Sequence, residues 1–308
     1  MNECVEILLA VYNGEQYLPE QLDSILAQSD GRWHLTVSDD GSEDASPAII
    51  ADYAPRFPGR IAVRRSGRRF GSARDHFFDL MAACDAEYML FCDQDDVWSP
   101  DKVKRTRAAL VEATERWGAE TPILVFSDQT PTDAALTPLA PSLMRYQGQY
   151  FETFDYRSIL MQNVVTGGAM GVNRALARLG YPRGDTSGII MHDWWLAATA
   201  ARFGHIVYID EPLGAYRQHV DNAVGAKNVN SAGYVVNRLG RVREVKRTIA
   251  AKKAQARAFT EAYAGLLNDG DAAFLEAFAR SRSGLCFYLR HMRLIHGIQR
   301  KIGFAALG

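Results

Sequence analysis

Residues 91–102 read FCDQDDVWSPDK and set three carboxylates, Asp93, Asp95 and Asp96, within four positions directly behind the apolar run YMLFC (88–92). Like charges at the end of a buried strand repel one another and lose hydration, so the cluster is costly unless something neutralises it. A divalent cation does so. Mg²⁺ and Mn²⁺ prefer oxygen ligands, and a metal–nucleotide site takes only one or two protein carboxylates while phosphates and water complete the octahedron. Asp93 and Asp95, two apart, project to one face if strand geometry persists and can still converge in a turn. The run therefore predicts a seat for a metal-bound diphosphate. The competing reading, a solvated acidic loop capping a helix near Ser99-Pro100, accounts for Ser99 and Asp101 but not for three carboxylates before Trp98.

Four other stretches carry chemistry. In DDGSED (39–44) a carboxylate can accept the imide N–H of a uracil or thymine ring, and Gly41 permits close backbone approach. Ser42 and Asp44 read as helix-capping residues. RRSGRRFGSARDH (64–76) places five arginines around two glycines, and arginine forks match phosphates and nucleobase edges. Arg74, one turn into a helix, is the best candidate there, with a surface salt bridge as the alternative. In IIMHDWWLA (189–197) Asp193 stands before Trp194, and partial desolvation raises a carboxyl toward a useful general base. The other role for Asp193 is to cap the helix it opens, and the two are compatible. His192 beside it is either a ligand contact or a packing residue. In AYRQHVDNAVG (215–225) His219 either completes a metal site begun by carboxylates elsewhere or is a plain surface histidine.

The elements that must position these residues follow from periodicity. Strands are predicted at 5–11, 34–38, 61–65 and 88–92, with helices over 15–28, after Ser42 with an acidic first turn, and over 72–83. Strands alternating with helices imply right-handed βαβ units and a largely parallel sheet, whose ligands gather at the carboxyl ends of the strands. The turns YNGEQ, DDGSED and DQDDVW then share one edge. Beyond residue 120 the alternation fades: a strand at 123–127, a β-like run with adjacent glycines in QNVVTGGAMGVNRAL (162–176), a helix in MHDWWLAATAARFG and a strand in IVYID. Past about 225 the pattern is Ala-rich, basic and helical.

At 308 residues the chain suffices for one large α/β domain plus an appendage, read as 1–225 and 226–308. The net charge of −1 hides 15 Lys/Arg against 5 Asp/Glu in 226–308 and 20 against 31 before it. Cys4, Cys84, Cys92 and Cys286 lack CxxC spacing, and the apolar contexts of Cys84 and Cys92 read as buried free thiols in a reducing compartment. No signal peptide and no apolar run of spanning length is visible, so a cytoplasmic protein is expected.

With ILLAVYNGEQYLPEQLDSILAQS, VSDDGSEDAS, FGSARDHF, MLFCDQDDVWSPDKV, NVVTGGAMGVNRAL, MHDWWLA and YIDEPLGAYRQHVDNAVG in that order, the chain resembles the family 2 glycosyltransferases of the GT-A fold, in particular bacterial rhamnosyltransferase-like members. The resemblance spans residues 5 to about 225. It implies inverting transfer from a nucleotide-sugar donor, best guessed as dTDP-rhamnose, to a saccharide or lipid-linked acceptor in surface-polysaccharide synthesis, with a UDP-sugar donor or a non-catalytic nucleotide-sugar sensor as alternatives. By position it implies Ala10, Tyr12 and Asp39 at the nucleotide base and Arg74 near the base or diphosphate. Asp95 becomes a metal ligand, Asp93 a ribose or metal contact, and His219 a partner of the metal or diphosphate. Gly167 and Gly168 allow backbone approach to the sugar, Asp193 is the base, and His192 and Trp194 touch donor or acceptor. The implied cofactor is Mg²⁺ or Mn²⁺. Family members commonly carry Asn near the positions of Arg69 and Asp75, which leaves sugar and base identity open.

The end of the chain, CFYLRHMRLIHGIQRKIGFAALG, mixes aromatic, aliphatic and basic residues. Such a segment suits an anionic membrane surface on the inner leaflet, packing on the acidic body, or a homodimer contact. No aromatic platform or recognition motif accompanies the charge, so nucleic acid is not an expected partner.

Overall fold

The computed structural model describes residues 4–149, 154–219, 242–281 and 294. The first half alternates as the sequence predicts: β1 (Val5–Val11), α1 (Leu18–Leu26), β2 (Trp33–Asp39), α2 (Ser46–Arg56), β3 (Ile61–Arg64), α3 (Ala73–Ala82) and β4 (Tyr88–Cys92). There follow β5 (Val97–Trp98), α4 (Lys102–Trp117), β6 (Ile123–Thr132), α5 (Leu143–Tyr146), α6 (Tyr156–Met161), a 3-10 turn (Gly167–Ala169), β7 (Met170–Asn173), α7 (Arg174–Gly180), α8 (His192–Phe203) and β8 (His205–Arg217). Two further helices are α9 (Val242–Ala262) and α10 (Asp269–Arg280).

The strands form one sheet in the order β3-β2-β1-β4-β7-β6-β8-β5. Pairs β1–β2, β1–β4, β2–β3 and β6–β8 are parallel, whereas β7 runs antiparallel between β4 and β6 and β5 runs antiparallel to β8. The sheet is therefore mixed. The reversal at β7 has a local cause: the chain reaches the middle of the sheet through the Gly167–Ala169 turn at the same edge as the carboxylates, so it must run back.

Strands in the middle are buried on both faces and read as continuous apolar runs rather than alternating ones. Ile7 and Leu9 pack with α1, α2 and α4, while Leu8, Met89 and Phe91 face α3, α6 and α8. The second core also takes in Ile249, Ala256 and Phe259 of α9 and Phe274, Leu275 and Phe278 of α10. These helices thus share a core with α8. The ion pairs that join them to the rest run against the net charge of the two halves: Asp271 of α10 is buried and meets Arg202 at 2.6 Å and Arg157 at 3.4 Å.

Two local expectations are corrected. Ser42 does not cap α2, which begins at Ser46 with Pro47 in its first turn, where the missing N–H costs nothing. The first turn of α2 holds no acidic residue; Asp44 lies before it and accepts the Ser46 N–H at 2.9 Å. No two of Cys4, Cys84 and Cys92 are joined, and Cys92 is fully buried under the amide of Gln21. Cys286, most of the basic end and the segment around residue 225 lie outside the described residues. Among the described residues no helix is long and apolar enough to cross a membrane.

Candidate active site

A cleft of about 600 Å³ opens at the carboxyl ends of β1 and β4, where the sheet rule places ligands. Ala10, Tyr12, Asp93, Asp95, Gly167, His192 and Asp193 line it, so the structure brings together residues from four of the sequence stretches with no single element in common. Asp39, Arg74, Gly168, Trp194 and His219 stand around this lining rather than on it.

One end of the cleft is built by the loops after β1 and β2. Gln94 ties the first of these down, accepting the Tyr12 N–H at 2.7 Å and donating to the Tyr12 carbonyl at 2.9 Å. A Cβ on Gly14 would lie 2.6 Å from the Gln94 amide and would push it away from Tyr12. Asp39 turns its carboxylate onto its own loop, accepting the Ser42 hydroxyl at 2.5 Å and the N–H groups of Gly41 and Ser42 at 3.0 Å. Asp40, which sequence reasoning passed over, is buried and accepts the N–H groups of Phe70 and Gly71, fixing the arginine-rich loop. That loop presents Arg69, not Arg74, to the cleft. The Arg69 guanidinium lies 4.9 Å from the Tyr12 ring centre and donates to its hydroxyl. Arg74 instead pairs with Asp75 at 2.8 Å and donates to the Ile189 carbonyl at 2.6 Å.

The carboxylate loop is held by groups arriving from the far end of the sheet. Arg217 of β8 donates through Nε to the Asp95 carbonyl at 2.9 Å, and its N–H reaches Asp96 at 3.2 Å. His219 Nε2 lies 2.8 Å from Asp95 Oδ2 and its ring packs on Tyr17. Asp96 is buried and accepts the Gln129 amide at 3.0 Å; burial and the neighbouring charges of Asp95 and Asp93 push its carboxyl well above the usual range. Burial, then Asp95 and Asp193, push Asp93 up to about 7. Excess negative charge of this kind is what a bound cation relieves, and the donor set of two carboxylates and an imidazole fits a hard divalent ion. Among the described residues no three such side chains already form a metal cage, and Asp95 and His219 bond each other.

Gly168 explains how the carboxylates pack so closely: a Cβ on it would lie 2.8 Å from Asp93 Oδ2 and 3.0 Å from Asp96 Oδ2. The buried Lys102 anchors this turn from below, donating to the Ala169 carbonyl at 2.8 Å and Ser127 at 3.0 Å. Gly168→Ala should therefore displace both carboxyl groups and lower stability by about 1–3 kcal/mol, the usual cost of overpacking. Urea unfolding of the two proteins checks this; equal midpoints would mean that the turn yields freely.

Asp193 opens the first turn of α8, whose N-terminus lacks a side-chain cap. Its carboxylate accepts the Trp194 N–H at 2.6 Å, with the Asn163 side chain and the Gly167 N–H as further donors. These donors favour the ionised form, but burial outweighs them and pushes the group up to about 7. His192 is buried between Phe77, at 4.3 Å, and Phe91, at 5.3 Å, and desolvation pushes it down to about 3, so its ring is neutral. Gly167 covers that ring, since a Cβ there would meet His192 Nε2 at 3.1 Å. Trp194 points away, its indole N–H on the Ile159 carbonyl at 2.5 Å.

The sequence pattern of glycosyl transferase family 2 matches residues 6–172, more than half of the chain. The chain belongs to glycosyl transferase family 2. It is a glycosyltransferase, and its curled, mostly parallel sheet flanked by helices is the GT-A fold. Among its relatives is the dTDP-rhamnosyl transferase RfbG of Shigella flexneri, 29% identical over 250 residues that make up 76% of this chain and 79% of the relative. An uncharacterized protein of Mycobacterium tuberculosis is 25% identical over 217 residues, 70% of this chain and 59% of the relative. Among solved structures, TarS 1–349 of Staphylococcus aureus superposes with a TM-score of 0.60 at 14% identity, covering 98% of this chain and 77% of that one. The mannosyltransferase PcManGT of Pyrobaculum calidifontis, solved with GDP-Man and Mn²⁺, gives a TM-score of 0.53 at 18% identity, covering 98% and 85%.

Proposed function

We propose that this family 2 glycosyltransferase moves rhamnose from dTDP-rhamnose, with inversion, to a hydroxyl of a saccharide or lipid-linked acceptor of the cell surface. The observation that carries the transfer reading is the juxtaposition in one cleft of a half-buried Asp193, its carboxyl pushed up by desolvation, with the Asp93–Asp95 pair. The donor follows from likeness to the Shigella flexneri dTDP-rhamnosyl transferase. The chemistry is performed on the inner face of the plasma membrane, where lipid-linked acceptors are presented.

In this reading Asp193 accepts the proton of the acceptor hydroxyl as that oxygen attacks the anomeric carbon from the face opposite the leaving group. The bond from the anomeric carbon to the diphosphate oxygen breaks, and its electron pair leaves with the nucleoside diphosphate. The Asn163 and Trp194 donors aim the Asp193 carboxylate, and His192 stays neutral beside it. Tyr12 and Arg69 flank the nucleotide base, with Ala10 and Asp39 at its edge. Asp95 and Asp93, with His219 against Asp95, would hold Mg²⁺ or Mn²⁺. When bound, the cation supplies Lewis-acid stabilisation of the charge that develops on the departing diphosphate.

A base pushed up to about 7 must be ionised to act, so kcat/KM should rise about tenfold per pH unit below 7 and level off above it. A pH–rate profile that is flat from 5 to 8 would contradict this. The reading as a whole is tested by offering a panel of dTDP-, UDP- and GDP-sugars with Mg²⁺ or Mn²⁺ and following diphosphate release. Release from dTDP-rhamnose above the others is expected. Release from a UDP-sugar alone would keep the transferase and replace the donor, and cation-dependent binding of none would reject the assignment.

A further inference from the structure

We infer that Gln255 of α9 is a positioning residue for Asp193, holding the backbone segment that delivers this base to the cleft; the inference rests on the reading of Asp193 as the base. Gln255 is fully buried, and its Oε1 accepts the Ile190 N–H at 2.9 Å. On the other side of the segment Arg74, itself fixed by Asp75, donates to the Ile189 carbonyl at 2.6 Å. Successive backbone groups, an acceptor and a donor, are thus gripped from α3 and α9. Gly188, just before them, lies so close to α9 that a Cβ would sit 3.0 Å from Ala258 Cβ and 3.4 Å from the Ala254 carbonyl.

The grip matters because α8 has no side-chain cap to set its entry angle, and Asp193 sits in its first turn. The direction in which the helix starts is left to the segment before it. The same face of α9 also holds the second wall of the base. Lys252 lies 5.6 Å from the Trp194 ring centre and donates at 2.6 Å to the carbonyl of Met161, two residues before the Asn163 whose side chain bonds Asp193. A buried amide among Ile249, Ala256 and Phe259 is costly unless its polar atoms are used. Its oxygen satisfies a backbone N–H that an apolar side chain would leave unpaired, while its Nε2 has no partner among the described residues, so the amide is kept for the acceptor alone.

Three variants test this. Gln255→Met keeps the volume and removes the accepting oxygen; Gln255→Glu restores an acceptor. Tyr263→Phe deletes a hydroxyl just past the end of α9 that lies 2.9 Å from the Thr199 hydroxyl of α8, away from the segment. Release of diphosphate is followed with Mn²⁺ and the panel donor that supports it, dTDP-rhamnose first. Gln255→Met should lower kcat at least about tenfold with donor KM within about twofold, because a displacement of an ångström in a reacting group is that costly. It should also speed amide hydrogen exchange at Ile190. Gln255→Glu should recover most of the rate, and Tyr263→Phe should lower Tm without changing kcat. In an Asp193→Asn background Gln255→Met should add no further loss. The inference is overturned if Gln255→Met keeps the wild-type kcat, if Tyr263→Phe slows turnover equally, or if the Gln255→Met loss multiplies in full upon Asp193→Asn. Wild-type turnover in Asp193→Asn alone would instead reject the base itself, a result that does not involve Gln255.

Discussion

Asp193→Asn is expected to lower turnover by at least about 10²-fold, the smaller part of what a positioned base supplies, while leaving donor binding largely intact. Asparagine has the same shape and can still accept the Trp194 N–H from its amide oxygen, so the helix start is preserved. What it loses is the ability to take up a proton. The loss is large because the carboxylate is desolvated: burial pushes it up to about 7, which matches it to a hydroxyl proton at neutral pH far better than an exposed aspartate. Steady-state kcat together with calorimetric binding of the nucleoside diphosphate separates the two effects. A fall in binding with unchanged kcat would make Asp193 a donor contact instead.

Asp95→Ala should abolish cation-dependent turnover. Asp95 lines the cleft, and its side chain is the one that His219 reaches, at 2.8 Å, so truncation removes a carboxylate ligand and the partner of the imidazole together. The backbone of the loop should survive, because Arg217 holds it through the Asp95 carbonyl and not through the carboxylate. Asp101→Ala is the comparison within the same acidic run: its carboxylate accepts the Ser29 hydroxyl at 2.5 Å and lies near Lys104 at an exposed position. Titration of Mn²⁺ against diphosphate release distinguishes them, and full cation-dependent activity in Asp95→Ala would make the cluster structural.

Much of this arrangement was legible because the relevant signals are local. Apolar runs followed by acidic or glycine turns mark strand ends, and βαβ handedness then puts those ends on one edge. That reasoning puts Tyr12, Asp93 and Asp95 on one edge, where the cleft opens; Asp193 joins them only through the family resemblance. Residues whose role depends on a distant partner left no such trace. Lys102 in WSPDK reads as a surface lysine, yet it is buried under the Gly167–Ala169 turn and burial pushes it down to about 7. Arg217 reads as one more loop cation, and its bonds to Asp95 and Asp96 exist only because β8 pairs with β6 and β5. The sequence favours Arg74 over Arg69 for its place one turn into a helix, but nothing in it shows which arginine is already paired. Asp75 decides between them by binding Arg74 and leaving Arg69 to the cleft. The antiparallel β7 was hidden for a related reason, since a short buried run carries no mark of its direction.

The most direct test of the central claim is to measure dTDP release from dTDP-rhamnose by the wild-type protein and Asp193→Asn side by side, with and without Mn²⁺. Release by the wild type is expected only with the cation, and at least about 10²-fold less from the variant while it still binds dTDP. Equal release by both proteins, or release indifferent to the cation, would contradict it.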